Sequence, residues 1–105
     1  MALFGWWRPL PPLARDLPAR VTEAEPLFDA RVKARYPVGS SEEAVMAELG
    51  AQGFRSVGRA DGRDAWRDFS FERRRFPFTT LWSVRWRARG GRIEEIWGVH
   101  GITGP

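Results

Sequence analysis

The sequence predicts an α+β fold in which two N-terminal helices pack on one face of a four-stranded antiparallel meander sheet, preceded by a Pro-rich arm. Three observations carry this. Apolar residues recur at helical spacing from Thr22 to Gly53 and then alternate with period two. Turn chemistry at Asp61-Gly62, Phe76-Pro77-Phe78 and Gly90-Gly91 cuts the alternating part into four closely joined runs, as a meander requires. Six Trp and seven Phe in 105 residues, each able to bury ~150–250 Å², give one short domain enough core.

Residues 1–21 form the arm: Pro9, Pro11, Pro12 and Pro18 block a regular helix and favour extended backbone. Leu3, Phe4, Trp6 and Trp7 at its tip can fold back on the core, fill a partner's groove or dip into a membrane interface. The domain proper is expected over 22–105. Its first helix runs from Thr22 to Tyr36, with Phe28, Val32 and Tyr36 on one face, Pro26 in the first turn and Pro37 as the stop. Ser40 as N-cap with Glu43 three residues on makes a capping box for the second helix. Val45, Met46 and Leu49 supply its apolar stripe, and Gly53 its left-handed end.

The four strands are expected at 54–60, 65–74, 80–88 and 92–99. Alternation puts Phe69, Phe71, Trp82, Val84, Trp86, Ala88, Ile93, Trp97 and Val99 on the helix-covered face. Trp66, Asp68, Ser70, Glu72, Arg85, Arg87, Arg89, Arg92, Glu94, Ile96 and His100 then lie on the outer face. A two-residue Gly90-Gly91 turn sets Arg89 opposite Arg92, Arg87 opposite Glu94, Val84 opposite Trp97 and Trp82 opposite Val99. Glu95 is the misfit, because this register drops a carboxylate on the core face beside Trp86.

The net charge is +4, yet Lys33 is the only lysine among seventeen cations, a bias that points to a GC-rich genome before it points to a polyanion partner. Arg85, Arg87 and Arg89 with Trp66 resemble a phosphate ladder with a stacking platform. The same face also carries Asp68, Glu72 and Glu94, so cross-strand pairing makes a solvated, charged face the better reading and nucleic-acid binding the alternative. Without cysteine there is no disulfide or thiolate metal site, and one histidine makes no metal cage, so neither metal nor cofactor is expected. No phosphate-loop, dinucleotide, zinc-protease or nucleophile-elbow pattern occurs, and Asp61, Asp64 and Asp68 lack the spacing of a calcium loop. An enzyme built around His100 would need a pocket and an orienting carboxylate beside it, and Glu94 is too far along the strand; no catalytic residue is assigned.

Tyr36-Pro37-Val38-Gly39-Ser40-Ser41-Glu42-Glu43-Ala44-Val45, with Leu49 and Gly53-Phe54, resembles the start of the second helix in small bacterial helix–helix–sheet envelope domains. Those are the SmpA/OmlA outer-membrane-assembly lipoproteins, which share the fold of the beta-lactamase-inhibitor proteins. Trp82-Ser83-Val84-Arg85-Trp86 and Gly91-Arg92-Ile93-Glu94-Glu95-Ile96 look like that fold's last hairpin. The likeness spans about residues 28–100 and departs from the family in having no lipobox cysteine and no signal sequence. It implies a non-catalytic domain that works by protein contact, often beside a membrane.

The function expected is therefore a non-enzymatic interaction module with a protein partner, using Trp6, Trp7, Trp66, Arg85, Arg87 and Arg89. A membrane surface is a further partner for the arm. No run reaches the ~18–20 apolar residues of a spanning helix, and Arg8 interrupts the N-terminus too early for a secretory segment. As written, the chain is expected in the cytoplasm, with the envelope as the alternative if the true start lies upstream.

Overall fold

The computed structural model describes residues 9–60 and 65–104. A short 3-10 turn at Pro12–Ala14 is followed by α1 (Val21–Arg35), α2 (Glu42–Ala51) and the strands β1 (Arg55–Ala60), β2 (Trp66–Arg75), β3 (Phe78–Arg89) and β4 (Arg92–Thr103). The strands pair antiparallel in the order β1-β2-β3-β4, so the α+β class and the meander both hold. The Asp61-Gly62 turn, Asp64, Trp6 and Trp7 lie outside the described residues.

Helix α1 begins one residue earlier than its pattern suggests, which leaves Pro26 in the second turn at the cost of one intrahelical hydrogen bond. Ser41, not Ser40, caps α2: its Oγ accepts from the Ala44 N–H at 3.2 Å. Ser40 is committed elsewhere. Its Oγ donates to the Pro37 carbonyl and its own carbonyl accepts from Ile93 of β4, so it belongs to the turn that ties the helices to the sheet. At the other end Gly53 sits at φ 99°, with Gly53 N–H on the Gly50 carbonyl and Phe54 N–H on that of Leu49, the paired bonds of a Schellman stop.

One buried cluster joins Phe28, Val32 and Tyr36 of α1 and Val45 and Leu49 of α2 to Phe71, Trp82, Val84, Trp86, Ile93 and Ile96 of the sheet. Leu13 and Ala14 are buried in it too, and Leu10 and Leu17 pack against it, all N-terminal to the boundary expected at 21/22. Arg31 of α1 holds this segment by donating to the carbonyls of Leu13 and Arg15. Trp86 is fully buried, and its indole N–H is satisfied by the Glu42 carboxylate at 2.8 Å, which also meets Arg67 at 3.1 Å.

The last strand corrects the expected register. Arg89 does face Arg92, but a bulge between Arg87 and Ala88 on one side and β4 on the other gives β4 one extra residue. Beyond it Arg87 faces Glu95, Arg85 faces Trp97, Val84 faces Gly98 and Trp82 faces His100. Because side chains alternate, one inserted residue turns the rest of the strand over. Ile96 and His100 are therefore on the core face and buried, while Trp97 and Val99 leave it. Glu95 escapes the core by the same step.

Candidate functional site

The outer face of the sheet is built in rows across β2, β3 and β4. The pairing brings Arg87 and Glu95 together, then Asp68, Arg85 and Trp97, then Ser70, Ser83 and Val99, with Trp66 two residues before Asp68 on β2. Trp66 and Trp97 lie diagonally across the sheet with ring centroids 6.4 Å apart and planes tilted by 59°. The Arg85 guanidinium stands 5.0 Å from the centre of the Trp66 ring, and that of Arg87 5.4 Å from Trp97. Two tryptophans and two arginines thus form one interlocked patch.

Carboxylates pin the cations of this patch. Arg85 Nε is 3.0 Å from Asp68 Oδ2, Arg87 pairs with Glu95, and Arg89 Nε is 3.2 Å from Glu94 Oε1. Beneath Arg85, Asp68 Oδ1 accepts from Ser70 Oγ at 3.0 Å, and Ser70 Oγ shares a hydrogen bond with Ser83 Oγ at 2.6 Å. Although these three residues point away from the hydrophobic core, all are buried, Ser83 completely. Each of these polar side chains has a hydrogen-bond partner, which keeps its burial inexpensive.

Of the residues singled out from sequence, Trp66, Arg85 and Arg87 come together, and Arg89 is next along β3 with its side chain mostly in solvent. Trp97 is the member that sequence alternation missed. The signal was present: a register that strands Glu95 in the core asks for a bulge before it, and a bulge there delivers Trp97 to this face.

His100 is not on the outer face. It is buried, stacked on Trp82 at 5.1 Å with planes 19° apart, and its Nδ1 lies 3.0 Å from the Leu81 carbonyl. A carbonyl only accepts, so Nδ1 carries the hydrogen. Glu25 approaches this residue too, but its carboxylate takes the backbone N–H of His100 and leaves the ring alone. Among the described residues no group of three or more His, Cys, Asp or Glu could hold a metal ion, and no helix is long and apolar enough to cross a membrane.

The class that fold and site define is a small α+β domain with a tryptophan–arginine patch on an antiparallel sheet. No protein-family model, curated protein or solved structure matches the chain.

Proposed function

We propose that this chain is a non-enzymatic interaction module that binds a protein partner through the outer face of its sheet. The reading has both helices on the face that carries Trp82, Val84 and Trp86, which leaves the Trp66–Trp97 patch free to dock. The observation that carries it is the pairing of Arg85, Arg87 and Arg89 with Asp68, Glu95 and Glu94. Cations already neutralised and stacked on indoles offer little to a phosphate backbone, whose affinity comes from uncompensated charge. Large, rigid aromatics and arginines are, however, the side chains that dominate protein–protein contacts. Trp6 and Trp7, ahead of the segment that Leu10, Leu13, Ala14 and Leu17 pack on the core, would add a second contact on the partner or on a membrane beside it. The likeness to the small bacterial envelope domains favours the same mode of action.

The test is capture from native extract on immobilised wild-type protein and on the Trp66→Ala/Trp97→Ala double variant, with and without nuclease. A retained protein should survive nuclease and bind the variant at least about 30-fold more weakly, the loss of one or two hot-spot side chains. Equal retention by both proteins, or loss on nuclease treatment, would overturn the reading.

A further inference from the structure

The turn that joins β2 to β3 is Phe76-Pro77, and Phe76 takes a place where turns ordinarily carry a small or polar residue. Its ring is 99 % exposed and that of Phe78 half-exposed, so the first adds nothing to the core and the second little. Pairing of β1 with β2 ends at Arg55 and Ser70, and that of β4 with β3 at Thr103 and Thr79. The row Arg75–Phe78 and the turn beyond it therefore project past the last pairing of both edge strands. We propose that this tip inserts into the surface of an anionic lipid bilayer, its phenylalanines below the headgroups and Arg73, Arg74 and Arg75 among them.

The charge around the rings fits that partner. The register from Arg73–Thr80 to Arg75–Phe78 is unbroken, so alternation puts Arg73 and Arg75 on one face of the hairpin and Arg74 on the other. Among the described residues none of the three has a carboxylate within ion-pair distance, whereas Arg35, Arg67, Arg85, Arg87 and Arg89 each do. Asp16 borders the groove that Arg73 and Arg75 line, and Glu72 precedes them on β2, so three guanidinium groups leave the hairpin end net positive. Ile102, half-exposed and opposite Thr80, extends the apolar surface on the face of Phe78.

Shape separates a bilayer from other anionic partners. An acidic protein or a nucleic-acid duplex is best met by a concave or one-sided surface, and here exposed rings stand on a projecting end with cations on both faces. A bilayer needs no matching contour. Apolar rings enter the boundary between headgroups and acyl chains, while long arginine side chains on either face keep their charges level with the phosphates. Two rings and three cations make an attachment that is reversible.

The tip shares no residue with the Trp66–Trp97 patch, so either proposal can fail alone. The test sediments the whole chain with vesicles of equal parts phosphatidylcholine and phosphatidylglycerol, and with vesicles of phosphatidylcholine alone. Binding to the mixed vesicles should be at least ~10-fold tighter and should weaken as salt rises. Replacing all three arginines, Arg73→Gln with Arg74→Gln and Arg75→Gln, should weaken it ~100-fold at low salt, about 5-fold for each charge. Phe76→Ala should weaken it ~10-fold and leave the melting temperature unchanged, because the ring it removes is exposed. Since the chain has no cysteine, Phe76→Cys carries a polarity-sensitive dye at the tip, and Val38→Cys carries it in the turn before α2, which is tied to Ile93 at the other end of the sheet. The mixed vesicles should shift the emission of the first dye to the blue and leave the second unmoved. Absence of binding, equal binding to both kinds of vesicle, or unchanged binding in the arginine and Phe76 variants would each overturn the proposal. A tip dye that responds to duplex DNA or polyglutamate but not to vesicles would overturn it too.

Discussion

Replacing Gly98 by alanine tests how α1 is seated against the edge of the sheet. A Cβ built at Gly98 would lie 2.8 and 3.0 Å from two ring carbons of Phe28 and 3.1 Å from the Cα of Asp29. The ring could turn, but Phe28 is itself fully buried, and the helix backbone cannot yield without moving the whole of α1. Overpacking of this kind costs ~1–3 kcal/mol. The same outward shift would stretch the bond from Gly98 N–H to Asp29 Oδ1, now 2.9 Å, and hydrogen bonds to charged groups are worth ~1.5–3 kcal/mol. Partial loss of that bond brings the expected total to about 2–4 kcal/mol. For a domain of this size that is a fall in Tm of roughly 10–20 °C, read by circular dichroism in a thermal scan. Gly101→Ala, three residues along the same strand with nothing within 4 Å of the added carbon, is the control and should stay within ~0.5 kcal/mol of the parent. A Gly98→Ala protein that melts with the parent would refute the close approach of α1 to β4.

Two further outcomes follow from single residues. Tyr36 is the only tyrosine, its buried hydroxyl has no hydrogen-bond partner among the described residues, and burial first, then the Glu48 carboxylate, raises its pKa to about 12. Between pH 10 and that value the unfolded chain has lost the proton that the native state keeps, so stability falls as pH rises, by at most ~1.4 kcal/mol per pH unit. Tyrosinate absorbance should report this one group, and Tyr36→Phe should remove that part of the alkaline loss and leave stability at neutral pH unchanged or improved. Ser41→Ala should cost ~1 kcal/mol in chemical denaturation as a lost helix cap, whereas a capping role for Ser40 would require Ser40→Ala to leave Ala44 N–H unpaired, which the geometry does not predict.

What alternation and spacing could establish was the identity of most core positions up to the last hairpin: Phe28, Val32, Tyr36, Val45, Leu49, Phe71, Trp82, Val84 and Trp86 are all buried, while Leu13 and Ala14, also buried, fell on the arm side of the expected boundary. These rest on local period, which survives small errors in element boundaries. The end of β4 rests instead on a register counted outward from Gly90-Gly91, and such a count holds only until a residue is inserted. One bulge exchanged Ile96 and His100 for Trp97 and Val99, and with them half of the aromatic patch. The cap moved by one residue for a related reason: two adjacent serines both suit the role, and only the bond from Ile93 N–H to the Ser40 carbonyl, far away in sequence, chooses between them. Trp66, Arg85 and Arg87 were legible as neighbours because no irregularity separates β2 from β3.

The sheet edges bear on how a partner would dock. An edge strand offers unpaired backbone groups to any extended segment, and β4 is an edge. Here much of that offer is withdrawn. At its start, Ile93 exchanges both backbone hydrogen bonds with the turn before α2, its N–H going to Ser40 and its carbonyl to Gly39. Further along, the N–H groups of Gly98 and His100 are taken by Asp29 and Glu25, one turn apart on α1. At the opposite edge β1 is six residues long and carries a register shift between Ser56 and Gly58, which disrupts the ladder another strand would need. Strand addition is therefore poorly served at both edges. A partner of the kind proposed would be left with the side chains of the outer face, where the half-buried indoles of Trp66 and Trp97 are held in place by arginines whose charge is already matched.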